Sequence, residues 1–248
     1  MSQHSLPLLY HLHHSLHMED LPFWLDLAKN NGSPLLELGC GTGRILLELV
    51  LSGYQAVGLD LDAHMLAFLK AQWPARNGQP PIFQADMAHF HLARRFQSIL
   101  LPCNTLSTLA PATRAGLFER VAAHLSPAGR FVASLPNPAL FSDLPAQSES
   151  EIEDYFLSPL DGEPFQVSSA WERTRNYFTV TWHYDHLLPD GRVERSTATI
   201  RHTLAPAQVY LDELRQAGFQ VIVLYGDFDL SAYAQDSPNL IICAATQA

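Results

Sequence analysis

The residues with the clearest chemical capacity are three glycines at alternate positions, Gly39-Cys40-Gly41-Thr42-Gly43, between a short apolar strand and an apolar helix. Glycine has no Cβ, so such a turn lets the main chain approach a ligand closely and presents the amides at the head of the next helix to it. Acidic and amide side chains recur where strands end: Glu37 just before the loop, Asp60 after the second strand, Asp86 after the third and Asn104 after the fourth. A carboxylate has two oxygens, each able to accept a hydroxyl. The loop does not fit a dinucleotide fingerprint, G-x-G-x-x-G. Counted from Gly39 the third glycine would fall at Arg44, and counted from Gly41 at Leu46. No Gly-Lys-Ser/Thr follows, so the phosphate-binding P-loop pattern is absent as well.

A second group with chemical capacity is histidine-rich: His4, His11, His13, His14 and His17. His13 and His17 would share one face of a helix, but no cysteine or paired carboxylate nearby completes a metal-ligand spacing, so no metal is expected. Tyr10, His13, His14, Asn104, Tyr177, His183 and Tyr184 are candidates for lining an acceptor pocket. For each of them packing is the simpler role, and no catalytic general base is assigned. Trp171, Tyr177, Trp182 and Tyr184 either line such a pocket or stiffen a sheet; the alternation Val180/Trp182/Tyr184 reads as a buried sheet face.

These residues need elements to position them. Leu35–Leu38 reads as a strand running into the glycine loop, Ile45–Leu51 as the helix after it, with Gly53 closing that helix. Strands follow at Gln55–Leu59, Ile82–Gln84 (after the break at Pro80-Pro81), Phe96–Pro102 and Arg130–Leu135. Helices are expected from Asp62 through Lys70 and over Pro111–Leu125, with Ser126-Pro127-Ala128-Gly129 as a turn. Strands alternating with helices imply a parallel sheet covered on both faces. The rhythm breaks over 136–168, which reads as loop, and 170–204 reads as an antiparallel meander turning at Pro189-Asp190-Gly191. A helix over Pro206–Gln216, capped by Gly218, and strands at Phe219–Tyr225 and Leu240–Ala245 close the chain. The expected division is an N-terminal lid or helical segment over 1–34, with a short helix at Leu21–Ala28; a sheet domain over 35–135 and 205–248; and an inserted β substrate cover over 136–204.

Composition excludes several classes. At 248 residues and 47% hydrophobic the chain can bury one substantial α/β core with an appended piece. A net charge of −10, with Arg94-Arg95 the nearest thing to a basic cluster, makes nucleic acid a poor candidate partner. Cys40, Cys103 and Cys243 show no CxxC spacing and lie in or beside apolar runs, as buried, reduced thiols do. No apolar run reaches the roughly 20 residues of a membrane helix, and the start has no signal-peptide pattern. A cytoplasmic protein is expected, its oligomeric state open and a homodimer among the options.

The spacing G-x-G-x-G, with Glu37 two residues ahead of it, resembles that of class I S-adenosylmethionine-dependent methyltransferases. The resemblance extends over about Leu21–Leu135 and resumes over Ala205–Ala245, where Gly218-Phe219 and Tyr225-Gly226-Asp227-Phe228 look like the family's closing helix and strands. It implies an α/β fold: a Rossmann-like, mostly parallel seven-stranded sheet with helices on both faces, plus the inserted antiparallel β element. It implies S-adenosyl-L-methionine as cofactor and S-adenosyl-L-homocysteine as product. By position in the family, Asp60 takes both ribose hydroxyls, Leu61 packs on the adenine with Met65 nearby, and Asp86 accepts the adenine amino group beside the backbone of Met87. Glu37, Gly39, Cys40, Gly41, Gly43 and Arg44 form the loop side of the site, and Pro102 and Asn104 lie beside the methyl group. Tyr10 matches an aromatic residue that relatives carry in a lid over the cofactor. Asp62 reads instead as a helix cap.

After the fourth strand the chain has Pro102-Cys103-Asn104, not the Asp/Asn-Pro-Pro-Tyr/Phe of nucleic-acid amino-methyltransferases. Asn137-Pro138 stands elsewhere. The resemblance is therefore to the small-molecule branch, and the meander is similar to the substrate cover of N-methyltransferases acting on glycine or amino sugars. The implied reaction is in-line displacement of a methyl group onto a small-molecule acceptor, nitrogen slightly favoured over oxygen. The alternative is a non-catalytic module that binds S-adenosylmethionine or S-adenosylhomocysteine and meets a protein partner through the β insert. A nicotinamide-dependent reductase is disfavoured by the glycine spacing.

Overall fold

The computed structural model describes residues 4–74, 81–141 and 144–247. Pro80, residues 1–3 of the expected lid and Ala248 of the expected sheet domain lie outside the described residues. In chain order the first elements are α1 (Leu6–His14), α2 (Leu21–Asn31), β1 (Leu35–Leu38), α3 (Leu46–Leu51), β2 (Ala56–Asp60), α4 (Ala63–Gln72) and β3 (Ile82–Gln84). Then come β4 (Phe96–Leu101), the single-turn α5 (Thr105–Thr108), α6 (Pro111–His124), β5 (Leu125–Pro136) and a 3-10 turn over Pro138–Phe141. β6 (Glu151–Leu157), β7 (Pro164–Arg173), β8 (Tyr177–Leu187) and β9 (Val193–Thr203) precede α7 (Ala207–Gln216), β10 (Phe219–Tyr225) and β11 (Asn239–Thr246).

The chain forms two compact units, residues 19–140 with 205–248 and residues 1–18 with 141–204. In the first, seven strands run in the order β10-β11-β5-β4-β1-β2-β3. β1 pairs in parallel with both β2 and β4, and only the β10–β11 and β11–β5 pairs are antiparallel. The order of strands reverses between β1 and β4, so their carboxyl ends flank the crevice where sheets of this kind hold ligands. All four residues of β1 are buried because the sheet is covered on both sides, which is why three of them are leucines rather than an alternation of apolar and polar residues, with Glu37 the buried exception. One face packs Leu117, Phe118 and Val121 of α6 and Tyr210 and Leu214 of α7 against Phe131 and Ala133. The other packs Phe23, Trp24 and Ala28 of α2, Leu46 and Leu49 of α3 and Leu66 and Leu69 of α4 against Leu35, Leu100 and Val132.

Local chemistry sets the helix ends. The Asp62 carboxylate accepts from the amides of His64 (2.7 Å) and Met65 (3.4 Å), capping α4. The expected turn at Ser126–Gly129 is a bulge within β5: Phe96 pairs with Leu125 and Ser98 with Arg130, so four residues loop out opposite Gln97 while strand pairing continues on either side.

In the second unit β6, β7, β8 and β9 form an antiparallel meander in sequence order, with α1 beside them; Leu9, Phe165, Val167 and Tyr184 make its core. The reading of 136–168 as loop is corrected, since β6 and the first half of β7 lie there. β6 is an edge strand with Glu151, Glu153 and Asp154, largely exposed and with a register shift between Ile152 and Asp154, so it lacks a clean period of two. β7 begins at Pro164, a place where a strand tolerates proline. The expected boundary at 34/35 also moves. It falls between Met18 and Glu19, because Trp24 and Ala28 are wholly buried in the sheet unit's core while α1 belongs with the meander. Likewise 136–140 stay with the sheet. Tyr184 is fully buried, while Val180 and Trp182 are half-buried. No helix among the described residues is long and apolar enough to cross a membrane.

Candidate active site

The glycine loop is built by its left-handed backbone. Gly39, Gly41 and Gly43 have φ of 69°, 52° and 87°. The amides of Gly39 and Cys40 both donate to the Leu59 carbonyl (2.7 and 3.0 Å), tying the turn to β2, and Gly43 N–H donates to the Cys40 carbonyl (2.8 Å). The glycines differ in what surrounds them. A Cβ at Gly43 would collide with the Leu69 side chain, so that position is glycine for packing. A Cβ at Gly41 would meet nothing within 4 Å, so the space beside it is open. Cys40 points its thiol inward against Gly58, and burial pushes the thiol pKa up, which makes it a packing residue whose backbone belongs to the loop.

Asp60 ends β2 and holds the loop: Oδ2 accepts from Gly41 N–H (2.7 Å) and Oδ1 from Asp62 N–H (2.8 Å). Burial raises its pKa, and these amides oppose the rise. Each oxygen keeps a further lone pair for a ligand hydroxyl. Leu61, the next residue, is 66% exposed, an apolar side chain standing open beside the carboxylate. Met65 and Met87 are half-buried, and a Cβ at Gly39 would lie 3.6 Å from Met87 Cε.

Glu37 is the most perturbed acid of the site. It is 3% exposed, and its Oε2 has no hydrogen-bond partner among the described residues. Burial lifts its pKa to about 8; Arg44 and the Leu46 amide pull the other way, Asp60 and Asp20 push further up. A buried carboxyl with an open oxygen is matched to a ligand cation or donor.

At the end of β4, Pro102 is buried, and Cys103 and Asn104 both adopt the left-handed conformation, φ 56° and 60°. Two successive non-glycine residues there store backbone strain, on the order of 1–3 kcal/mol each, of the kind found at functional turns. Cys103 is exposed, which corrects the expectation that all three cysteines are buried: the turn carries it out of the strand. All three cysteines are free thiols. Arg44 is committed within the protein, Nη1 to Asp20 Oδ1 (2.6 Å) and Nη2 to Asp20 Oδ2 (2.8 Å) and to Cys103 Sγ (3.0 Å). Asp20 also accepts from Trp24 Nε1 (2.9 Å). Sequence reasoning missed Asp20, whose only local signal is its place ahead of α2. Asp86 forms a turn, accepting from Ala88 N–H (2.8 Å) and lying 3.0 Å from His89 Nδ1, bonds that hold its pKa low.

Glu37, Gly39, Cys40, Gly41, Gly43, Arg44, Asp60, Leu61, Met65, Asp86, Met87, Pro102 and Asn104 thus all lie in the sheet unit, at or just beyond the carboxyl ends of β1, β2, β3 and β4. Tyr10 lies in the other unit on α1, its ring 4.0 Å from that of His14. The remaining acceptor candidates are there too: His13 Nδ1 is 3.2 Å from the Tyr184 hydroxyl, His183 Nδ1 3.2 Å from Thr197 Oγ1, and Tyr177 lies under Arg201.

Residues 35–129 match the family model described as a methyltransferase domain. An uncharacterized methyltransferase of Bacillus subtilis (strain 168) is 25% identical over 205 residues, 81% of this chain and 82% of that protein. A dTDP-3-amino-3,6-dideoxy-alpha-D-glucopyranose N,N-dimethyltransferase of Streptomyces fradiae is 36% identical over 96 residues, 38% of this chain and 36% of its own. The solved sugar N-methyltransferase KedS8 of Streptoalloteichus sp. superposes with a TM-score of 0.76 at 22% identity, covering 100% of this chain and 96% of that one. A glycine turn at the β1/β4 switch point, an acid at the end of β2 and a sheet whose last strands run antiparallel give the chain a Rossmann-like methyltransferase fold. Residues 35–129 carry a methyltransferase domain, and S-adenosylmethionine is the cofactor that such a domain uses. The residues fit that cofactor, since Glu37 presents a buried, unpartnered oxygen, Gly41 borders open space and Leu61 offers an exposed apolar side chain beside Asp60.

Proposed function

We propose that this enzyme methylates the amine nitrogen of a small-molecule acceptor, an amino sugar or a compound of similar size and polarity. The observation that carries this reading is the turn after β4. Pro102–Thr105 offers an amide, a hydroxyl and a thiol engaged by Arg44, and no general base at neutral pH. A neutral amine is already a nucleophile and needs only to be placed, and orientation alone can contribute several kcal/mol, on the order of 7–11 in favourable models. A phenol or carboxyl acceptor would gain from a base that this turn does not supply. The names of the Streptomyces fradiae and Streptoalloteichus proteins, both N-methyltransferases of sugars, support the same direction.

S-adenosylmethionine brings a sulfonium-bound methyl group that is electrophilic on its own. The chain's residues bind and orient it: Asp60 takes the ribose hydroxyls, Leu61 and Met65 give the adenine an apolar bed, and Asp86 with the Met87 backbone meets its amino edge. Glu37 takes the cofactor's ammonium group, for which a buried carboxyl with an open oxygen is suited. Gly39, Gly41 and Gly43 let the main chain come close, while Arg44 braces the loop through Asp20. Pro102 and Asn104 border the acceptor side.

Transfer of label from methyl-labelled cofactor across a panel of amino sugars, other small amines, phenols and carboxylates tests the proposal. Label recovered on nitrogen supports it. Label recovered only on oxygen would overturn the choice of acceptor atom, and tight cofactor binding with no transfer to any compound would favour a binding module instead.

A further inference from the structure

The meander unit holds a cluster with no part in cofactor binding. His4, Asp161 and His186 bring one ligand atom each within 4.8 Å of one another. His186, on β8, is 3% exposed and stacks flat on Phe165 (centroids 4.5 Å, 3°), which fixes its ring plane. Neither of its ring nitrogens has a hydrogen-bond partner among the described residues, although a buried imidazole nitrogen normally has one. Its Nε2 nevertheless lies 3.3 Å from Asp161 Oδ2, near but not aligned for a hydrogen bond. His4 Nε2 lies 3.7 Å from the same oxygen and 2.7 Å from Ser158 Oγ. Asp161 is aimed by the β6–β7 connection: its Oδ1 accepts from Glu163 N–H (3.1 Å), the Ser158 side chain also meets its carboxylate, and Oδ2 faces the two histidines.

Two imidazole nitrogens and a carboxylate oxygen that converge without hydrogen bonds to one another have the spacing of ligands around a common ion. Nitrogen or oxygen atoms about 2.0–2.1 Å from a tetrahedral zinc stand roughly 3.3–3.4 Å apart, and the two separations to Asp161 Oδ2 are 3.3 and 3.7 Å. We propose that His4, Asp161 and His186 form a site for a divalent transition cation of the zinc type, which ties residue 4 to the β6–β7 connection and β8. On binding, His4 Nε2 exchanges its bond to Ser158 for the metal, and Asp161, itself exposed, is the side of entry. A three-ligand set of this chemistry suits zinc, cobalt or iron(II) and leaves a position for water. The expectation of no metal weighed histidine spacing along the N-terminus, whereas Asp161 and His186 come from distant strands.

The second such cluster, His13, His17 and Asp154, lacks this character. His17 Nε2 bonds Asp154 Oδ2 directly at 2.8 Å, and His13 Nδ1 pairs with the Tyr184 hydroxyl at 3.2 Å, so its groups satisfy one another.

Untagged protein stripped with chelator and titrated with Co2+, then Zn2+, tests the site. The expected result is one Co2+ per chain with a visible d–d band of low coordination number, displaced by Zn2+, and a melting temperature raised by Zn2+. Asp161→Asn, at an exposed position, and His4→Gln, near the terminus, should each weaken binding by roughly 10–100-fold or more, the range that loss of even an outer partner gives, with unchanged circular dichroism. His17→Asn should leave binding intact. Binding below one equivalent, binding indifferent to Asp161→Asn and His4→Gln, or binding lost only in His17→Asn would each overturn the assignment.

Discussion

Replacing Glu37 by Gln removes a buried ionisable group while preserving shape and the acceptor for the Leu46 amide, so it isolates the price of charging that site. In the unfolded chain a glutamate titrates near 4.3; in the folded, cofactor-free protein burial lifts Glu37 to about 8. Between those values the folded state holds a proton that the unfolded state has released. Stability must then fall as pH rises, by close to 1.4 kcal/mol per pH unit for one group. From pH 5.5 to 7.0 nearly the whole proton difference applies, so Glu37 alone should remove about 2 kcal/mol. Urea unfolding of cofactor-free wild type and Glu37→Gln at the two pH values measures this as a difference of differences, in which the other titrating groups cancel. Wild type should lose about 2 kcal/mol more than the variant over that interval. Parallel pH–stability profiles would refute the reasoning, because they would mean that Glu37 is charged in the folded protein despite its burial. Saturating S-adenosylmethionine should flatten the wild-type profile, since a cation at Oε2 stabilises the carboxylate.

Other substitutions separate holding the loop from holding the cofactor. Asp60→Asn should weaken S-adenosylmethionine binding by roughly 100-fold or more in calorimetry, hydrogen bonds to a charged group being worth about 1.5–3 kcal/mol each, and should also lower the cofactor-free melting temperature, because an amide has one acceptor oxygen and leaves either the Gly41 or the Asp62 N–H without its bond. Gly41→Ala should cost about 1–2 kcal/mol of stability for a left-handed residue and abolish measurable cofactor binding, since its Cβ meets no protein atom but fills the space beside the loop. Gly43→Ala should show larger destabilisation in urea, because its Cβ collides with Leu69. Arg44→Ala should destabilise by about 3–5 kcal/mol, the usual result of stranding a buried partner, here Asp20, and Asp20→Asn in the same chain should restore part of the loss.

How far these features could be read before the structure depends on the range over which each is encoded. β1, the glycine turn and α3 are written in one stretch, Leu35–Leu51: a buried strand of three leucines and Glu37 because both sheet faces are covered, then glycines where φ is positive, then a helix that Gly53 ends. Asp60 and Asp62, two residues apart, were separable by position alone, one facing the Gly41 amide and the other capping α4. Features made by distant partners left no such trace. Asp20 and Arg44 pair across α2 and the loop, and that pairing, with the burial of Trp24, puts the unit boundary at Met18/Glu19 rather than before β1. β6 escaped because an acidic edge strand with a bulge owes its pairing to β7 and not to its own alternation. The same reasoning applies to His4, Asp161 and His186: the local sequence around each is that of a terminus, a turn and a strand, and only the meander brings their ligand atoms together. Cofactor chemistry in this fold is carried by strand ends and is therefore legible in short motifs. The proposed metal site depends instead on groups far apart in sequence, residue 4 and two positions of the meander, which only folding brings together.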